Sequence, residues 1–179
     1  NQSVYRALCQ LGDKVMGMPV PGGGHLTHGW KVNFSGSDYV QVPYGPDPET
    51  GLIDFAQVRE IARRERPKMI WVGATSYPRI LQYDKFAEIA DEVEAYLVAD
   101  IAHINGLIVA GVHPNPVPYC DVVSSTIHKM LRGPRAGFVL SRIEDRYQEK
   151  YHGQTKLNLA RRIDRAVFPG LQGGPHMHT

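Results

Sequence analysis

The chain has 179 residues, 42% of them hydrophobic and 21% charged, and a formal net charge of +2. Those proportions match a single folded domain with enough apolar material for a core, and they exclude a disordered tail. The near-balanced charge excludes a nucleic-acid footprint, no apolar run approaches the roughly 18 residues that span a bilayer, and Asn1-Gln2-Ser3 does not read as a signal peptide.

In chain order, Val4, Ala7, Leu8 and Leu11 recur at helical spacing, and Gly12 is placed to end that helix. Val15 to Met18 reads as a short buried strand, Pro19 to Gly24 as a loop, and Tyr39 to Pro43 as a strand closed by a Pro/Gly turn. Asp54 with Gln57 resembles a capping box ahead of a helix whose apolar face is Phe55, Val58, Ile61 and Ala62, ending before Pro67. Met69 to Val72 is the next strand. Asp84 opens a helix with Phe86, Ile89, Ala90 and Val93 inward, and the strand Tyr96 to Asp100 follows. Asp121 to Ser125 and Gly137 to Leu140 read as two more strands, and Arg142 to Arg165 as a charged, partly helical stretch. Oily strands alternating with helices predict an α/β fold, a mostly parallel sheet flanked by helices. Cys9 and Cys120 form no CxxC and read as small buried hydrophobes in a reducing compartment, hence a cytoplasmic location.

Ligands of open α/β sheets collect beyond the carboxyl ends of the strands. Asp100 ends one strand with His103 shortly after it, where Asp100 either caps the following turn or serves a ligand. Thr75 and Ser76 follow another strand, and Ser124, Ser125, Thr126, His128 and Lys129 a third. His25 and His28 have no Cys or carboxylate at ligand spacing, so no metal site is expected. Neither GxxxxGK[ST] nor GxGxxG is present. A strand-end Asp, a Lys after a hydroxyl-rich strand, and glycines at Gly170, Gly173 and Gly174 that would bare N–H groups to a phosphate suit pyridoxal 5′-phosphate. In such a site the lysine forms a Schiff base and the carboxylate keeps the pyridine nitrogen protonated.

Several blocks of the sequence then resemble the serine hydroxymethyltransferase (glycine hydroxymethyltransferase) family. They are His25-Leu26-Thr27-His28-Gly29 with Val32-Asn33-Phe34-Ser35-Gly36, Pro67 to Ile70, Asp100-Ile101-Ala102-His103, Ala110 to Pro116, His128-Lys129 with Gly133-Pro134-Arg135, and Phe168-Pro169-Gly170 with Gln172-Gly173-Gly174-Pro175. The resemblance implies a fold-type-I enzyme, dimeric or tetrameric, that uses pyridoxal 5′-phosphate to convert serine and tetrahydrofolate to glycine and 5,10-methylenetetrahydrofolate. It implies Lys129 as the lysine that bonds the cofactor, Asp100 as partner of the ring nitrogen, His25 stacked on the ring, and His103 and Thr75 at its phenolic oxygen. Thr126 matches an active-site hydroxyl, and His128 a position that influences substrate choice. Val20, Gly24, His25 and Leu26 match the folate loop, Arg135 an active-site arginine, and Gly173 and Gly174 the glycines that reach a neighbouring subunit's phosphate.

Relative to the family pattern, Ile127 and Met130 replace hydroxyls, Arg132 replaces a small residue, Gly22 stands in place of a His, Pro78 in place of a Ser, and Thr75 in place of a Ser. The chain starts without Met and stops after a Gly-rich stretch, so residues 1–179 read as the central part of the large domain, incomplete at both ends. The family places a phosphate-binding turn and a glutamate base ahead of Asn1 and a carboxylate-binding arginine beyond Thr179, so the isolated chain is expected to be inactive. Two other readings are a threonine-aldolase-like enzyme of the same fold type and a non-catalytic cofactor-binding paralogue. The match at His25–Gly29 favours the folate enzyme.

Overall fold

Side chains on successive strand residues point to opposite faces, and here they feed two separate oily layers. In the computed structural model, which describes residues 1–177, the strands are β1 (Lys14–Gly17), β2 (Val40–Pro43), β3 (Met69–Gly73), β4 (Tyr96–Asp100), β5 (Val122–Thr126) and β6 (Gly137–Ser141). They form one sheet in the order β2-β1-β3-β4-β5-β6. β1 to β5 run parallel, and β6 returns antiparallel against β5. The α/β fold with a mostly parallel sheet is therefore as the sequence implied.

Met16, Ile70, Val72, Leu97, Ala99 and Val123 pack on one face against α3 (Phe55–Glu65) and α4 (Tyr83–Val93). Val15, Met69, Trp71, Tyr96, Val98 and Val122 pack on the other against α1 (Gln2–Leu8) and α7 (Leu159–Val167). Burial on both faces explains why these strands read as continuous apolar runs. Three short helices, α2 (Phe34–Ser37), α5 (Asn105–Val109) and α6 (Gln148–His152), complete the described elements.

The expected helix ends hold for α3, which Asp54 caps by accepting from the N–H groups of Ala56 and Gln57. They fail for α1. Its backbone is already extended at Cys9. A turn tied by Asp13, which accepts from the Gln10 N–H, occupies the place of the expected last helical turn and leaves Leu11 75% exposed. α4 starts one residue before Asp84, with Gln82 as its cap. Cys120 is buried and Cys9 half-buried.

Candidate active site

A cleft of about 1090 Å³ opens over the carboxyl ends of β4 and β5, lined among others by His25, Asp100, Thr126, His128, Lys129 and Arg135. It lies on the α1/α7 face of the sheet, as the rule for open parallel sheets requires. Six expected site residues, scattered from 25 to 135 in the sequence, thus share one concavity.

Asp100 is the last residue of β4 and only 7% exposed. Gly73, its neighbour on β3, admits it closely, because a Cβ there would collide with the Asp100 carbonyl. One carboxylate oxygen, Oδ1, accepts from the Ala102 N–H at 3.1 Å, so Asp100 does cap the turn after β4. The other, Oδ2, accepts from Asn1 Nδ2 at 2.7 Å and from His28 Nε2 at 3.1 Å. Burial alone would raise its pKa, but the His28, Asn1 and Ala102 donors outweigh burial and hold the carboxyl well below the usual carboxylate range. Two donors on Oδ2 and one on Oδ1 leave one of the roughly four lone-pair positions, on Oδ1, for a further donor.

His28 was not anticipated as a site residue. The His25 N–H donates to its Nδ1 at 3.3 Å, which puts the ring proton on Nε2, facing Asp100. The ring is buried and stacked on Trp71, with centroids 5.3 Å apart and planes 15° apart. His25 accepts at Nδ1 from both the N–H of Thr27 (3.2 Å) and its hydroxyl (2.8 Å). Burial first, against an opposing pull from Asp100, lowers the His25 pKa and keeps the ring neutral. His25, His28 and Asp100 also bring three ligating atoms within 4.8 Å of one another, a grouping hidden from the sequence by the separation of 72 positions between His28 and Asp100. The hydrogen bonds already given account for that closeness.

Lys129 sits in the loop joining β5 to β6. Backbone bonds from Ile127 N to Ala136 O and from Gly133 N to Ile127 O pin the loop, and a turn from Arg132 N to Lys129 O closes on the lysine itself. The His128 Nδ1–H donates to the Ala136 carbonyl at 3.2 Å, which leaves Nε2 unprotonated in the neutral ring. Thr126 Oγ1 is buried in the cleft wall with no hydrogen-bond partner among the described residues. Asn105, also unanticipated and 2% exposed, donates through Nδ2 to Ser125 Oγ (2.8 Å) and to the Thr126 carbonyl (2.9 Å), and so braces the end of β5.

The other expected residues lie outside this cleft. His103 is half-buried nearby, its pKa lowered first by burial and then by the Lys129 charge. Thr75 is exposed, but its N–H and that of Ser76 both donate to the Gly23 carbonyl, tying the β3 loop to the Pro/Gly loop. In that loop Val20 begins a 3₁₀ turn, and Gly24 is required because a Cβ would collide with the Met18 carbonyl. Leu26 is exposed. Gly173 and Gly174 are exposed with open space around them. Of the replacements within the lysine loop, Met130 packs over Gly106 and Ile127 over Gly133, while Arg132 is exposed in a left-handed conformation, φ 54°.

The family model for serine hydroxymethyltransferase matches residues 1–179. Over all 179 residues the chain is 69% identical to serine hydroxymethyltransferase 2 of Mesorhizobium japonicum, of which it covers 41%. It is 54% identical, again over its full length, to serine hydroxymethyltransferase of Acidothermus cellulolyticus, of which it covers 39%. The chain therefore spans about two fifths of the length of these relatives. It belongs to the serine hydroxymethyltransferase family.

Proposed function

We propose that this member of the family forms the central part of the large domain of a glycine hydroxymethyltransferase, which exchanges a one-carbon unit between serine and tetrahydrofolate with pyridoxal 5′-phosphate as cofactor. The observation that carries the reading is the single cleft shared by a buried, ionised Asp100, Lys129 and a neutral His25. The residues fit the cofactor: a carboxylate with one lone-pair position left on Oδ1 suits a pyridinium N–H, and the unpartnered Thr126 hydroxyl supplies a further polar group beside the lysine. Lys129 would bond the cofactor covalently, Asp100 would meet its ring nitrogen, and His25 would lie against the ring, with His103 and Thr75 serving its phenolic oxygen. When bound, the cofactor supplies an electron sink for bond cleavage at the α-carbon of the amino acid.

The protein's own part is to fix charge and orientation. Asp100, held ionised by His28 and Asn1, would set a negative charge against a protonated ring nitrogen. His128, its Nδ1–H fixed on the Ala136 carbonyl, presents Nε2 as a proton acceptor beside the lysine and would discriminate among amino-acid side chains. Val20, Gly24, Leu26 and Arg135 would contact folate at the rim, and Gly173 and Gly174 would serve the phosphate held by a neighbouring subunit of a homodimer or tetramer. The cytoplasm, where serine, glycine and folate exchange, is the corresponding compartment. No described helix is long and apolar enough to cross a membrane.

The test is a titration of the intact protein and its Lys129→Ala variant with pyridoxal 5′-phosphate, followed by visible absorbance and by methylenetetrahydrofolate formation from serine and tetrahydrofolate. Parent protein is expected to show both signals and the variant neither. A protein-bound visible band that survives the substitution overturns the lysine assignment. Turnover without added or bound cofactor overturns the function.

A further inference from the structure

We propose that Asn1 is a positioning residue whose side-chain amide holds the Asp100 carboxylate and the His25 ring in one fixed arrangement at the cleft. The inference rests on the function proposed above for Asp100. Asn1 precedes α1, where an Asn side chain ordinarily accepts from the first helical N–H groups. Here it makes no such bond. It reaches across the sheet instead: Nδ2 donates to Asp100 Oδ2 and to Thr27 Oγ1, each at 2.7 Å, and Oδ1 accepts from the Ser124 hydroxyl at 2.7 Å. Since a carboxylate only accepts, the amide nitrogen must be the end that faces Asp100, and the Ser124 hydroxyl fixes the opposite end.

The bonds have a direction. Thr27, having accepted from Asn1, has its own proton free for His25 Nδ1 at 2.8 Å. One amide therefore orients the charge on β4 and, through one hydroxyl, the imidazole of the Pro/Gly loop, and it anchors both to β5. Ladder bonds join β4 to β5, and Val4, Tyr5 and Leu8 pack α1 on the sheet, so the foldedness of these elements does not depend on this side chain. What depends on it is where the Asp100 Oδ2 points and whether the Thr27 hydroxyl is turned to reinforce the bond that its own N–H already makes to His25 Nδ1.

The experiment uses the intact protein in four further forms: Asn1→Ala, Asn1→Asp, Asp100→Asn and the Asn1→Ala/Asp100→Asn double variant. The readouts are pyridoxal 5′-phosphate affinity, visible ellipticity of the bound cofactor, kcat and KM for serine, and far-ultraviolet ellipticity. Asn1→Ala is expected to weaken affinity about tenfold, the scale of one hydrogen bond to a charged group. It should also reduce the visible ellipticity and lower kcat more than it changes KM, with far-ultraviolet ellipticity unchanged. Asn1→Asp keeps the shape and capping capacity but sets a second carboxylate against the first, so its loss should be at least as large even if Asn1→Ala folds poorly. Because one of the two arms of Asn1 acts through Asp100, the loss in the double variant should be smaller than the product of the two single losses. Parental affinity and ellipticity in Asn1→Asp, or losses that multiply in the double variant, overturn the role of Asn1 while leaving the function intact. Failure of the parent to bind the cofactor, or an Asp100→Asn protein equal to the parent, overturns the function and the Asn1 role together.

Discussion

At the scale of single residues, the proposed function turns on Asp100. A buried carboxylate ordinarily drifts toward its neutral form, and three donors reverse that drift. Asp100→Asn keeps the volume and removes the charge, so the fold should persist while turnover falls about 10²-fold or more, the scale of a lost preorganised electrostatic group. Steady-state kinetics beside far-ultraviolet ellipticity would check it, and near-parental turnover would refute it. That Asp100 and Lys129 face one cleft was legible in the sequence, because Asp100 ends an oily strand and Lys129 follows a hydroxyl-rich one. Asn1, His28 and Asn105 were not. Their partners lie 99, 72 and 20 residues away respectively, and nothing local marks an Asn or a His as turned inward.

At the scale of elements, the legible helices are those with strong ends. α3 and α4 carry a continuous apolar face and, for α3, an Asp cap. α2 and α5, of four and five residues, are too short to show a period. α1 was overextended because Leu11 lies in phase with the buried face although the Asp13 turn removes it from the helix. Both long helices end in a non-glycine residue in the left-handed region, Arg66 at φ 50° and Glu94 at φ 55°. Glycine is at ease there, so Arg66→Gly should stabilise the protein by about 1 kcal/mol, net of the backbone freedom that glycine adds to the unfolded chain. Urea denaturation measures this directly. A lower midpoint would show that the Arg66 side chain contributes more than its backbone strain costs.

On the scale of the whole molecule, the amino-terminal end of β4 carries a second polar cluster, away from the cleft. Asp145 accepts both from the Tyr96 hydroxyl, at 2.8 and 2.9 Å, and from Arg162, and its carboxylate is fully buried. His152 packs beside Tyr96 with Nε2 buried and unpartnered among the described residues. Burial first, then the Arg162 charge, push its pKa from 6.5 down to about 4. The folded state thus binds the proton less readily than the unfolded state. The His152 contribution to stability is therefore complete above 6.5 and lost as pH falls toward about 4. Denaturant midpoints measured across that window should fall with pH, and His152→Gln should flatten the part of the slope that begins at 6.5. An unchanged slope would assign the acid sensitivity to other groups.

The pairing of α1 with α7 has a consequence for how the protein is made. Val4, Tyr5 and Leu8 are buried in the same cluster as Leu159 and Ile163. A ribosome delivers the first of these helices long before the last. At ordinary rates of synthesis, the interval between them is roughly ten to thirty seconds. During that time the oily face of α1 is covered neither by its final partner nor by a finished sheet, since β1 must also await β3 on one side. The oily face of α1 is thus exposed to aggregation for that interval, and a holding chaperone that takes short apolar helices would act on Val4, Tyr5 and Leu8 until α7 emerges.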